Sequence, residues 1–188
     1  LATTAFARRP ALWLRLMSEN KSTVAYSPSF GYDLAARRIN GEAASLDLSQ
    51  WRAAGIGGDM VRADVLNQFA DALSVAGFDG KAFLPSYGMA ESTLAVTFSE
   101  PGKPLKVDSI DKLSYKTLGR AVPANSGEVR SFVVCGKALP GHDIVVRNEA
   151  GLALGDRDIG HIFVKGPSVM AGYFHNAEAT AAVLDDGG

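Results

Sequence analysis

The sequence predicts an α/β fold: a partial parallel sheet flanked by helices over residues 1–95, then a smaller antiparallel, β-barrel-like subdomain over 96–188. Three observations point there. Up to about residue 95, short apolar runs alternate with amphipathic stretches, the pattern of a parallel sheet with covered faces. Two of those runs end in glycine corners, "GIGGDM" and "SYGMAE", and in open parallel sheets ligands sit beyond the carboxyl ends of strands. After residue 95 the apolar residues alternate or run β-branched, broken by Pro, Gly and Asn, as in antiparallel strands.

The elements follow in order. "TTAFARRPALWLRLMSENK" (3–21) reads as helical, with Leu12, Trp13 and Leu16 at helical spacing, and Pro10 suits the first turn of a new segment. "STVAYS" (22–27) is short and β-branched, hence a strand. "SFGYDLAARRIN" (29–40) is a helix with Leu34 and Ile39 inward and Arg37 and Arg38 outward. "RAAGIGG" (52–58) is a buried strand entering a glycine turn. "MVRADVLNQFADALSVAGF" (60–78) is the clearest helix: Val65, Leu66, Phe69 and Leu73 mark one stripe, and Gly77 ends it. "KAFLPS" (81–86) is the next strand.

The runs "LAVTFS", "LKVDSI", "VRSFVVCG", "HDIVVRN" and "IGHIFVKG" form the β-rich part, and "NAEATAAVL" (176–184) closes as a helix with Asn176 as N-cap. Between them, 99–128 is a long polar connection, and long connections are usually functional or mobile.

Composition narrows the function classes. The 188 residues are 47% hydrophobic and 21% charged, ordinary for a globular chain with a real core. Nineteen basic residues against 20 acidic ones leave no basic surplus for nucleic acid or a membrane surface. Apolar runs fall far short of the ~20 residues of a membrane helix. The single cysteine, Cys135, excludes an intrachain disulfide and fits a reducing, cytoplasmic setting. The chain starts at Leu1 and stops at "LDDGG", which reads as a piece of a longer protein.

The chemistry-bearing residues cluster in "FLPSYGMAEST" (83–93). Gly88 permits close backbone approach to a ligand. Tyr87 offers a flat face to a base. Glu91 is the oxygen ligand that Mg²⁺ takes alongside phosphates. From spacing alone the plainer reading is an ordinary strand-to-helix turn, with Glu91 near a helix start and Ser92 or Thr93 capping. In "GIGGDMV" (55–61), Gly57 and Gly58 could expose backbone to a purine or phosphate with Asp59 as acceptor; the plainer reading makes Asp59 the N-cap of the next helix. His142, His161 and His175 share no ligand spacing, and no Gly-x-Ser-x-Gly elbow occurs. Trp13, Phe30 and Tyr32 read first as core, second as a pocket wall.

The order "GGDMV", "SYGMAEST", "CGKALPGHDIVV", "GHIFVKGPSVMAGYFHNAEAT" resembles the middle of an adenylate-forming enzyme of the acyl-CoA synthetase superfamily. The last string is the most specific, being similar to the family pattern Gly-Glu-Ile-x-Val-x-Gly-Pro-x-Val-x-x-Gly-Tyr. Within the superfamily the chain is most similar to fatty acyl-AMP ligases. "FARRPALWLRLMSENKSTVAYSPSFGYDLAARRI" resembles their segment through the acyl pocket, Tyr-Gly-Met-Ala-Glu lacks the Thr common in CoA ligases, and the linker from Glu91 to Gly136 is long.

The resemblance implies ATP and Mg²⁺ as cofactors, a fatty acid as substrate, and acyl-adenylate passed to an acyl-carrier protein or polyketide synthase. It implies that Glu91 ligates Mg²⁺, and that Tyr87 stacks on adenine opposite Gly57, Gly58 and Asp59. Ser86, Gly88, Met89 and Ala90 would border the acyl-adenylate, with Phe30 and Tyr32 facing the acyl chain. Three positions depart from the pattern: Ala90 lacks a hydroxyl, Met60 replaces a proline, and His161 replaces a glutamate. The phosphate loop, ribose-binding Thr-Gly-Asp and C-terminal lysine of the family lie outside this sequence, so the chain alone is expected to be inactive. An acyl-CoA ligase and a non-catalytic acyl- or nucleotide-binding module are the alternatives.

Overall fold

The computed structural model describes residues 1–39 and 41–184. They form two compact units: the described residues of Leu1–Ser86 with Ser99–Val107 and Phe132–Cys135, and Tyr87–Phe98 with Asp108–Ser131 and the described residues from Gly136 on.

The first unit opens with α1 (Thr3–Arg8) and α2 (Ala11–Glu19), so the helical stretch expected over 3–21 is two helices. Pro10 causes the break. It has no amide to donate backward, and it stands at the N-cap of α2. β1 (Val24–Tyr26), α3 (Ser29–Arg38), β2 (Ala53–Ile56), α4 (Ala63–Leu73) and β3 (Phe83–Tyr87) follow. β1 pairs with β2 and β2 with β3, both parallel, with Val24 opposite Ala53 and Ala54 opposite Phe83. The expected parallel sheet is present.

Its core is aromatic. Tyr32, Phe69 and Phe83 are fully buried, and Trp51 and Phe78 nearly so. Tyr32 meets Phe69 edge-on with ring centroids 4.9 Å apart, and Phe69 meets Phe78 at 5.1 Å and 88°. Edge-to-face pairs of this kind add about 0.5–1.5 kcal/mol each beyond burial. From α4 come Val65, Leu66, Phe69 and Leu73, the stripe that helical periodicity marks. A 3₁₀ turn, Ser74–Ala76, continues the helix to Gly77 at φ +78°, the left-handed cap that glycine takes without strain. Ile39 is buried as expected, whereas Leu34 is only half-buried.

The second unit holds β4 (Thr97–Phe98), α5 (Lys112–Thr117), β7 (Lys137–Ala138), β8 (Asp143–Arg147), β9 (His161–Lys165) and α6 (Ala177–Val183). β5 (Val107–Asp111) and β6 (Val129–Val133) pair with each other. β4 runs antiparallel to β7, and β8 to β9 with Arg147 opposite His161. Among the described residues β5–β6 and β8–β9 are separate two-stranded sheets and no closed barrel forms, which corrects the barrel-like expectation. The connection expected over 99–128 contains α5, capped by Asp111, whose carboxylate accepts from Ser114 N. Asn176 caps α6 as expected, accepting from Ala179 N at 3.0 Å.

Candidate active site

Two glycine-bearing corners carry the candidate residues. The first is the carboxyl end of β2. Ile56 lies opposite Pro85 in the parallel register, and Ser86 Oγ donates to Ile56 O at 3.0 Å. A Cβ on Gly57 would sit 2.7 Å from Ser86 Oγ, so the close approach of the two strand ends requires glycine there. Gly58 turns the chain at φ +80°. Gly57 and Ser86 are thereby brought together, with Gly58 and Asp59 exposed beside them.

Asp59 is not the N-cap of α4, whose N-cap is Arg62 without a side-chain bond. Its Oδ1 accepts from Ser29 N at 3.1 Å, at the start of α3. Ser29 Oγ in turn donates to Met60 O and accepts from Arg62 N. The carboxylate thus satisfies a free amide of a helix thirty positions earlier, where negative charge is favourable.

The second corner is the turn after β3. A 3₁₀ turn, Ala90–Ser92, carries Glu91, and Thr93 and Leu94 follow with φ +51° and +84°. Two consecutive left-handed residues that are not glycine store backbone strain, roughly 1–3 kcal/mol each. Hydrogen bonds hold the turn: Leu94 N to Met89 O at 3.1 Å and Val96 N to Tyr87 O at 2.9 Å. A Cβ on Gly88 would lie 1.5 Å from Leu94 O, so this position admits only glycine. Tyr87 is half-buried, and its phenol is pushed up by burial and then by the Glu91 charge.

Glu91 is fixed at backbone and side chain by the segment 168–173. Met170 N donates to Glu91 O at 2.7 Å, and Tyr173 Oη donates to Glu91 Oε1 at 2.6 Å. The Tyr173 hydroxyl holds the carboxyl below the usual glutamate range. Ser168 Oγ donates to Ser92 O at 3.0 Å, and Thr93 Oγ1 to Ser168 O at 2.9 Å. His142 Nε2 lies 2.7 Å from Ser168 Oγ. The carboxylate forms part of the wall of an open cleft of about 380 Å³, whose ionisable residues are Glu91, His161 and Tyr173 and whose apolar ones include Met89, Ile162 and Phe163.

The remaining candidates separate. Phe30 is 58% exposed and available to a ligand. Tyr32 is 0% exposed, its hydroxyl donating to Gly55 O at 3.0 Å, so it has no open face for an acyl chain and works as core. His161 faces Glu149 at 2.9 Å. Cys135 is half-buried, and burial pushes its thiol up. Among the described residues no group of three or more His, Cys, Asp or Glu could hold a metal by itself. A single carboxylate would nonetheless suffice for a Mg²⁺ whose other ligands are substrate phosphates and water. Tyr173 and Ser168 had no assigned role in the sequence reading; Tyr173 stands 82 positions from Glu91, and only membership of the conspicuous "GPSVMAGYF" string singled it out.

A model of the AMP-binding enzyme family matches residues 1–174. The chain belongs to that family. Similar members of the AMP-binding enzymes include a Caulobacter vibrioides protein named "Putative acyl-CoA synthetase", 49% identical over 98% of this chain and 33% of its own length. Another is the medium-chain-fatty-acid–[acyl-carrier-protein] ligase TtuA of Teredinibacter turnerae, 34% identical over 98% of this chain and 29% of its own length. Among solved structures, one from work on fatty acyl-adenylate ligases of E. coli and L. pneumophila superposes with a TM-score of 0.94 at 44% identity, covering 100% of this chain and 36% of that one. The L. pneumophila fatty acyl-adenylate ligase in complex with acyl adenylate and pyrophosphate gives 0.90 at 31%, covering 95% and 32%. The chain therefore spans about a third of the curated relatives it matches. No helix among the described residues is long and apolar enough to cross a membrane.

Proposed function

We propose that this chain is part of a ligase that activates a fatty acid with ATP. The fatty-acid carboxylate attacks the α-phosphorus, the bond to the β-phosphate oxygen breaks, and acyl-adenylate and pyrophosphate result. The acyl group then passes to an acyl-carrier protein or polyketide synthase, in the cytoplasm. The observation that carries this reading is Glu91: a carboxylate held on a strained, glycine-dependent turn that lines an open cleft, with one oxygen anchored and the other unbonded among the described residues.

In this reading Glu91 holds Mg²⁺, which supplies charge neutralisation to the triphosphate. Tyr87 stacks on adenine, with Gly57, Gly58 and Asp59 lining the opposite side. Ser86, Gly88, Met89 and Ala90 border the acyl-adenylate, and Phe30 faces the acyl chain. Such chemistry needs in-line placement and charge stabilisation more than a covalent protein group. Asp59 suits a lining role, since Ser29 N already fixes its carboxylate.

The test is ATP–pyrophosphate exchange by the full-length protein carrying this chain. Glu91→Gln is expected to abolish Mg²⁺-dependent exchange; unchanged exchange would favour a non-catalytic binding module. The acyl-CoA ligase is the second reading, favoured by the name of the 49% identical relative. Thioester formation with CoA at a rate near that of adenylation would establish it. A deletion within 100–126 that gains CoA activity would support the acyl-AMP ligase. This chain by itself is expected to show no exchange.

A further inference from the structure

We propose that Tyr173 is the positioning residue of the Glu91 carboxylate, holding one oxygen so that the other is presented to a divalent cation; this rests on the reading of Glu91 as a Mg²⁺ ligand. The Tyr173 hydroxyl meets Glu91 Oε1 at 2.6 Å, within the short range of charge-assisted hydrogen bonds. Tyr173 is 36% exposed and lines the open cleft, so burial does not force the hydroxyl to find a protein partner; water would serve. Its aim at the carboxylate is therefore a specific arrangement.

Tyr173 is itself held. Its amide donates to Thr180 Oγ1 at 2.9 Å, and the Thr180 hydroxyl donates on to Asn176 O at 2.8 Å. Gly172 at φ +148° lets the chain pass this close, because a Cβ there would lie 2.8 Å from Thr180 Cγ2. The start of α6 thus fixes Tyr173, and Tyr173 fixes Glu91. A free glutamate loses rotamer freedom whenever it takes up a cation. Here the hydroxyl has already removed that freedom, which is the preorganisation a ligand needs. The backbone bond from Met170 N to Glu91 O fixes the residue's Cα but leaves its side chain free, so the hydroxyl has a distinct task.

The experiment uses the full-length protein. ATP binding is measured calorimetrically with saturating Mg²⁺ and again with EDTA, alongside thermal melting. Tyr173→Phe keeps the ring and removes the hydroxyl. Its Mg²⁺-dependent gain in ATP affinity should fall on the order of tenfold, the rotamer freedom of the glutamate that the hydroxyl no longer removes in advance. Affinity in EDTA should not move, and the melting temperature should shift only slightly, since the bond is exposed to water. Thr180→Val, acting one step back, should show a smaller loss of the same kind.

A Tyr173→Phe protein matching wild type in Mg²⁺-dependent affinity, or losing affinity equally in EDTA, would overturn the proposal. Glu91→Gln separates the two ideas. If it abolishes the Mg²⁺ gain while Tyr173→Phe does not, only the positioning role fails. If Glu91→Gln also behaves as wild type, the Mg²⁺-ligand reading fails and takes the proposal with it.

Discussion

Gly88→Ala is the sharpest probe of the turn that carries Glu91. The added methyl would lie 1.5 Å from Leu94 O, 2.6 Å from Leu94 C and 3.0 Å from Ala95 Cα. All three are backbone atoms, so no side-chain rotation relieves the clash. Ordinary contact requires the chain after the turn to retreat by roughly 2 Å. That movement breaks the bonds from Val96 N to Tyr87 O and from Leu94 N to Met89 O. Two backbone hydrogen bonds at about 1 kcal/mol each, with some overpacking, put the loss at about 2–3 kcal/mol.

The functional effect should exceed the stability effect. A misplacement of about 1 Å can lower a rate on the order of a hundredfold. Urea unfolding and ATP–pyrophosphate exchange of the full-length protein measure the two. Gly41→Ala is the control: Gly41 has φ +80° with nothing within 4 Å of a Cβ, so it should cost about 1 kcal/mol and leave exchange intact. A Gly88→Ala protein with wild-type stability and exchange within twofold would refute the reasoning.

Other outcomes follow from the same contacts. Tyr32→Phe removes a buried donor to Gly55 O, which keeps its second partner, Ser27 N, so the loss should be about 1 kcal/mol by urea unfolding. On the proposed fatty-acid ligase reading, the full-length protein's chain-length preference should not change; an altered preference at unchanged stability would return Tyr32 to the pocket wall. Arg157 has φ +73° and an ion pair to Asp108, both side chains well exposed. Arg157→Ala should lose up to about 1 kcal/mol, and Arg157→Gly should be nearly neutral because it relieves the left-handed backbone. Equal losses in the two would show the strain to be negligible. Cys135, its thiol pushed up by burial, should react with a disulfide reagent on the order of tenfold more slowly than free cysteine at pH 8, and faster as pH rises. A rate equal to free cysteine would place that sulfur in open water.

Local pattern by itself determined the parallel sheet, the α4 stripe and the two glycine corners. Each depends on spacing within one segment, which sequence displays directly. α4 was legible because Val65, Leu66, Phe69 and Leu73 repeat at the helical period. The position of Glu91 on the turn after β3 was legible because a short apolar run ends in a glycine-bearing stretch there; its proposed ligand role follows the rule that ligands sit beyond the carboxyl ends of parallel strands. Phe30 and Tyr32 lie two positions apart on α3, so helical geometry sends them to opposite sides. Which of them enters the core depends on what packs against α3, and only the fold supplied Phe69 and Phe83. Asp59 capping α3 and Tyr173 anchoring Glu91 were decided by tertiary structure alone. Hydrogen bonds act over about 3 Å in space, and no periodicity records which distant residue the chain will bring that near.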